Sequence, residues 1–140
     1  MVNLFYEETK ALGLDPDFFV LWLNKVCNSH DKKLGEINLI FCSDEYLLNM
    51  NKEYLQHDYY TDIITFDYYE ELVSGDLFIS LDRVRENAAV LGVAFIEELY
   101  RVVVHGTLHL LGFGDKSPDE EARMRSLEND ALLLIVPRET

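Results

Sequence analysis

Residues 102 to 115 read Val102-Val103-Val104-His105-Gly106-Thr107-Leu108-His109-Leu110-Leu111-Gly112-Phe113-Gly114-Asp115. This stretch sets both the architecture and the chemistry to be expected. Its apolar residues continue a pattern that predicts a helix from about Phe95 to Leu111, with Gly112 supplying a left-handed end. His105 and His109 then stand one helical turn apart on a shared face. Imidazoles at that spacing can ligate a single divalent ion, and a turn at Gly112 would let Asp115 return to the same ion. Two neutral imidazoles and a carboxylate are a common set for catalytic zinc, one ion per chain, with a fourth position left for hydrolytic chemistry.

A lone His pair on one helix face is more often structural than ligating. Here the neighbours are Val and Leu, which offer buried imidazoles no hydrogen-bond partners, whereas a metal satisfies both at once. The added Gly and Asp at metzincin-like spacing make the metal reading the stronger one. Position 106 is Gly, however, where a metalloprotease carries the Glu that serves as general base. A protease therefore lacks its mechanism. The remaining chemistry is attack on an electrophile such as a phosphodiester, where a divalent ion lowers the pKa of its water and offsets phosphoryl charge.

Working outward, Asp15-Pro16 offers an N-cap and a first-turn proline for a helix over about 16 to 29. Ile37 to Phe41 reads as a strand, and Ser43-Asp44-Glu45 as the start of a following helix. Ile63 to Tyr68 and Leu77 to Ser80 are expected to be adjacent strands, joined by an acidic connection that closes with Ser74-Gly75-Asp76. Helices follow from Asp82 to about Leu91 and from Phe95, and Ser117-Pro118-Asp119-Glu120 is a capping-box signature for a last helix through about Leu134. With a strand at about 2 to 7, the order is β-α-β-α-β-β-α-α-α. The expected fold class is α+β or a three-layer variant, about four strands in one small mixed sheet with about five helices.

The chain has 140 residues, 49% of them hydrophobic, with only 7 Gly and 3 Pro, which suits one globular domain over residues 1–140. Its formal net charge is −14, which repels polyanions at long range and argues against non-specific nucleic-acid binding. The 26 acidic residues divide evenly, 13 in each half of the chain, so neither half is a basic arm. Cys27 and Cys42 lie in apolar runs and are expected as reduced core thiols of a cytoplasmic protein. The N-terminus lacks the basic and apolar regions of a signal peptide, and no apolar run is long enough to span a membrane.

His105 to Asp115 resembles the signature of the YbeY family, HGxLHLxG followed by an aromatic residue and a third ligand. The resemblance extends over nearly the whole chain: Asn51 to Phe66 is similar to the family's NxxYR…D.PT[DN]VLSF segment, and Gly75 to Ser80 to its GDI.IS motif. It implies a single-strand-specific, metal-dependent endoribonuclease in rRNA maturation, notably at the small-subunit 3′ end, and in ribosome quality control. It also implies a zincin-like metal helix on a small mixed sheet. The implied partners are an rRNA precursor or the ribosomal small subunit, with a ribosomal protein or an assembly GTPase as a further contact. Two positions depart from the pattern. Asp115 stands where the commoner third ligand is His, which lowers the charge of the site. Leu55 stands where the family has an Arg expected to contact phosphate. Lys52, Arg83 or Arg101 could substitute. Two rivals remain: a metal-dependent hydrolase of another substrate, and a ribosome-assembly binding factor whose metal is structural and whose acidic surface meets a basic partner.

Other polar residues carry weaker signals. His57 lies in a polar loop and reads as solvated rather than substrate-binding, and His30 complements the dipole at a helix end. Thr61 and Asp62 either line the cleft or start a strand, and Asp76 reads as a turn residue. Tyr59, Tyr60, Phe66, Tyr68 and Tyr69 read first as core and cross-strand aromatics, second as base-stacking faces.

Overall fold

In the computed structural model, which describes residues 1–135, a four-stranded sheet is built from β1 (Val2–Glu7), β2 (Leu34–Cys42), β3 (Ile63–Asp67) and β4 (Val73–Ser80) in the order β1-β2-β4-β3. The pairs β1–β2 and β2–β4 are parallel and β3–β4 is antiparallel, so the sheet is mixed. Five helices accompany it among the described residues: α1 (Pro16–Ser29), α2 (Asp44–Leu55), α3 (Leu81–Leu91), α4 (Phe95–Leu110) and α5 (Pro118–Leu132). The fold is α+β, as expected.

Each helix start but that of α4 is fixed by a side-chain cap. Asp15 accepts from the Asp17 N–H at 3.0 Å, Ser43 from Tyr46 at 3.1 Å and Ser80 from Arg83 at 3.1 Å. Ser117 and Glu120 complete the reciprocal capping box anticipated for α5, satisfying two otherwise orphaned donors. The alternation of the strands sends Leu39, Phe41, Leu77 and Ile79 into the main core with α1 and α4. Ile64, Phe66 and Phe78 face the other way, toward Leu47 and Met50 of α2. Helices thus lie on both faces. Trp22 of α1 donates its indole N–H to the Ala131 carbonyl at 2.9 Å, which locks α5 beside α1 and α4. Cys27 and Cys42 are both buried free thiols, and burial raises their pKa values to about 11 and about 12.

Several boundaries differ. β2 is longer than Ile37 to Phe41, β3 and α4 each end one residue earlier, at Asp67 and Leu110, α3 starts one residue earlier, and α5 ends at Leu132. One difference matters more: Ser74, Gly75 and Asp76 are the interior of β4 and not a turn. Polar residues are tolerated there because neighbouring groups satisfy them. Ser74 Oγ accepts from the Glu36 N–H at 3.0 Å, and Asp76 accepts from Asn38 Nδ2 at 2.9 Å and from the Tyr68 hydroxyl.

Gly75 is required for a reason other than a turn. A Cβ there would stand 2.5 Å from the Phe66 carbonyl oxygen and 2.8 Å from Leu110 Cδ2. The bare backbone lets β3 pair closely and lets the end of α4 rest on the sheet. Gly75→Ala is expected to destabilise the protein by roughly 1–3 kcal/mol, the usual cost of overpacking, despite the better strand propensity of Ala. Urea unfolding at an unchanged midpoint would refute this.

Candidate metal centre

Helix α4 carries His105 and His109 toward a cleft while the residues between them, Gly106, Thr107 and Leu108, are buried. Val102, Val103, Val104 and Leu108 are all core, which fixes the rotation of the helix about its axis. Gly106 presses against the sheet: a Cβ there would lie 2.6 Å from Ile63 Cδ1 and 3.0 Å from Leu77 Cδ2. A Glu at this position would have to displace β3 and β4 side chains, so the absent protease base has a packing cause as well as a chemical one. After Leu110 the chain turns at Gly112, which has φ of +100°, while the Phe113 N–H returns to the Leu108 carbonyl at 3.1 Å. That turn brings Asp115 back.

The three side chains converge. His105 Nε2 and His109 Nε2 are 3.0 Å apart, and Asp115 Oδ2 lies 3.2 Å from the first and 3.5 Å from the second. Among the described residues these three form a group that could hold a metal ion, with all ligand atoms within 4.8 Å of one another. Tetrahedral ligands about 2.0–2.1 Å from zinc would be separated by about 3.3 Å, so the spacing fits.

The remaining ring nitrogens sharpen the fit. His109 Nδ1 lies 2.9 Å from the Phe113 carbonyl, which can only accept, so Nδ1 carries the proton. His105 Nδ1 lies 2.7 Å from Glu128 Oε2. With both Nδ1 atoms donating, two Nε2 lone pairs and a carboxylate oxygen face one another, an arrangement that calls for a cation between them. Burial opposes charge at Glu128, yet the hydrogen bonds from His105 and Arg101 outweigh it and hold the carboxyl below its ordinary value. At His105 burial likewise favours the neutral ring, but Glu128 and Asp115 prevail and raise its pKa. The surroundings favour positive charge at this point.

Glu128 is the residue that sequence reasoning missed. It sits on α5 at 5% exposure, where Arg101 Nη1 also donates to it at 2.9 Å. Its signal was available: Met124, Glu128 and Ala131 form the buried stripe of α5, and a Glu on an otherwise apolar face asks for a partner. The carboxylate–histidine pair fixes the ring and raises the basicity of its free nitrogen.

The cleft over the three side chains has a volume of about 720 Å³ and is lined from α2, the loop after it, β3 and the turn after α4. Thr61 and Asp62 line it, and the Asp62 carbonyl also receives the Ser80 N–H at 2.9 Å, so the alternative roles coexist. Burial raises the Asp62 carboxyl above its ordinary value, against the opposing pull of His105 and two backbone N–H groups. Leu55 and His57 are at the cleft as well, and His57 is exposed there, a solvated loop residue that also borders the cleft.

None of the three cations proposed to replace the Arg at position 55 lines the cleft. Arg101 is held by Glu128 and Asn129. Arg83 pairs with Asp44 at 3.0 Å and Glu86 at 2.8 Å, and Lys52 with Asp58 at 3.4 Å. Lys116 is the Lys or Arg that does line it. Of the aromatics, Phe66 packs edge-on against Phe78, Tyr60 donates to Glu45 at 2.6 Å, and Tyr68 binds Asp76, whereas Tyr59 and Tyr69 face the cleft. His30 ends α1 and meets the Phe113 ring edge-on.

Comparison with known proteins agrees with this geometry. The family model described as Endoribonuclease YbeY matches residues 7–135. Proteins of that name are 56% identical over 81% of this chain and 83% of their own length in Bacteroides thetaiotaomicron, and 53% identical over 81% and 76% in Porphyromonas gingivalis. The solution structure of TM1509 from Thermotoga maritima superposes with a TM-score of 0.65 at 27% identity, covering 94% of this chain and 89% of that one.

Proposed function

The chain belongs to the YbeY family of endoribonucleases, and from that premise we propose that it is a zinc-dependent, single-strand-specific endoribonuclease acting in rRNA maturation, at the small-subunit 3′ end, and in ribosome quality control. Residues 1–140 act as one metalloprotein domain in the cytoplasm. The observation that carries this reading is the convergence of His105, His109 and Asp115 on one point at the floor of an open cleft. These three residues are the metal ligands, one ion per chain. When bound, the divalent ion supplies a Lewis acid that lowers the pKa of a water molecule toward neutrality and offsets phosphoryl charge.

The protein supplies position and charge. Glu128 orients His105, the Phe113 carbonyl orients His109, and Gly112 delivers Asp115. No Glu is available at position 106 to take a proton from the nucleophile. Asp62, which lines the cleft and whose carboxyl burial raises above its ordinary value, is the candidate for that exchange. No described helix is long and apolar enough to cross a membrane. The RNA partner is an rRNA precursor or the small subunit, with a ribosomal protein or assembly GTPase as a second contact.

The test is elemental analysis of the purified protein together with cleavage of a single-stranded rRNA 3′-end fragment, before and after chelation and zinc restoration. The expected result is about one metal per chain, with cleavage that disappears on chelation and returns with zinc. Metal without cleavage in any condition would favour the ribosome-assembly binding factor, a reading that the aliphatic Leu55 in the cleft supports. A metal-free protein would overturn the three-ligand site.

A further inference from the structure

The cleft carries three carboxylates, Asp62, Asp67 and Asp115, against one ammonium, Lys116. A polyanion gains little from that balance beyond what a metal provides, and Leu55 offers no phosphate contact. Affinity for a nucleic-acid strand must then come from contacts insensitive to charge.

The loop after α2 presents one. His57 and Tyr59 stack at 5.1 Å between ring centroids with planes 19° apart, and the Tyr59 hydroxyl meets His57 Nδ1 at 2.9 Å. Both rings line the cleft, and Tyr59 is 56% exposed. At that separation the stack is offset, and both residues are exposed, so ring surface stays open to solvent. The platform is also fixed in place. Asn51, 1% exposed in α2, donates its side-chain amide to the Tyr59 carbonyl at 2.9 Å, and its own carbonyl accepts the His57 N–H at 3.0 Å. The Lys52–Asp58 ion pair and the Tyr60–Glu45 hydrogen bond tie down the residues on either side. An aromatic pair on an anchored backbone loses little entropy on accepting a base.

We propose that His57 and Tyr59 form a base-stacking subsite, which holds one unpaired nucleobase of the RNA strand beside the metal centre and replaces phosphate contacts as the main source of affinity. This rests on the endoribonuclease reading above. It requires the base to be free of a duplex partner, so the platform is also a source of single-strand preference.

The test measures binding, separately from cleavage, with a fluorescent single-stranded 2′-O-methyl oligoribonucleotide whose length is checked after each titration, so that only intact strand is scored. Tyr59→Ala is expected to weaken binding about 5- to 150-fold, the range for losing one stacked base, while Tyr59→Phe binds as wild type. An abasic strand of the same length should bind wild type and Tyr59→Ala equally. The salt dependence of Kd should be unchanged in Tyr59→Ala, because the lost contact carries no charge. Wild-type affinity in Tyr59→Ala, an equal loss on the abasic strand, or a reduced salt slope would each overturn the proposal. If wild type cleaves unmodified RNA and Tyr59→Ala binds normally, only the platform is refuted. If wild type neither binds nor cleaves, the endoribonuclease reading falls and the platform falls with it.

Discussion

His109→Ala is expected to yield a folded protein with no stoichiometric metal and with RNA cleavage lowered by about 10³-fold or more, since the water it acts through would return toward its ordinary acidity. Three ligand atoms within reach of one point make a site, and Asp115 with His105 alone makes a weak one. The fold should survive because His109 is near the end of α4 and its side chain is 28% exposed. Outside the group it forms with His105 and Asp115, the lost contact is its hydrogen bond to the Phe113 carbonyl, worth about 1 kcal/mol. His105 is the poorer choice for this test, as its removal would leave the buried Glu128 carboxylate without its imidazole donor. Metal content, far-UV circular dichroism and cleavage are measured on the same preparation. Wild-type cleavage by metal-free His109→Ala would exclude metal-dependent catalysis at this site.

The convergence of His105, His109 and Asp115 is legible because it is local. Helical spacing places His105 and His109 together, and one glycine with a left-handed backbone brings Asp115 back within ten residues of His105. The element order and the helix N-caps follow from equally local signals at Asp15, Ser43 and Ser117. The start of β4 was not legible. Ser74-Gly75-Asp76 carries turn-type residues, and only the strands on either side supply the partners that make them strand residues. The same limit hid the cleft. His57 and Tyr59 are adjacent to the centre through the packing of α2 on β3, and Arg101 is withdrawn from it by a helix that follows in the chain. Side chains whose role is set by a distant element need the tertiary structure to be assigned.

Glu128 is the clearest of these, and Glu128→Gln should reveal it without touching a ligand. Gln keeps the shape but replaces an anion that accepts from both His105 Nδ1 and Arg101 Nη1. An amide oxygen can retain one of those hydrogen bonds, and its NH2 faces a donor at the other. His105 then loses the carboxylate that fixes its tautomer and raises the basicity of Nε2. Metal affinity is expected to fall about 10- to 100-fold, the usual consequence of removing such a partner, as read by competition with a calibrated chelator. Stability should fall as well, since Arg101 is left beside a neutral group. The loss should stay below the about 3–5 kcal/mol of a fully buried pair, because the Arg101 side chain keeps 24% of its exposure and its hydrogen bond to Asn129. Arg101→Gln provides the contrast: it disturbs the same ion pair and leaves the His105–Glu128 hydrogen bond in place. Equal losses of metal affinity in the two variants would mean that Glu128 acts only by holding α5 against α4. A larger loss in Glu128→Gln at matched stability assigns it the orientation and charge of His105.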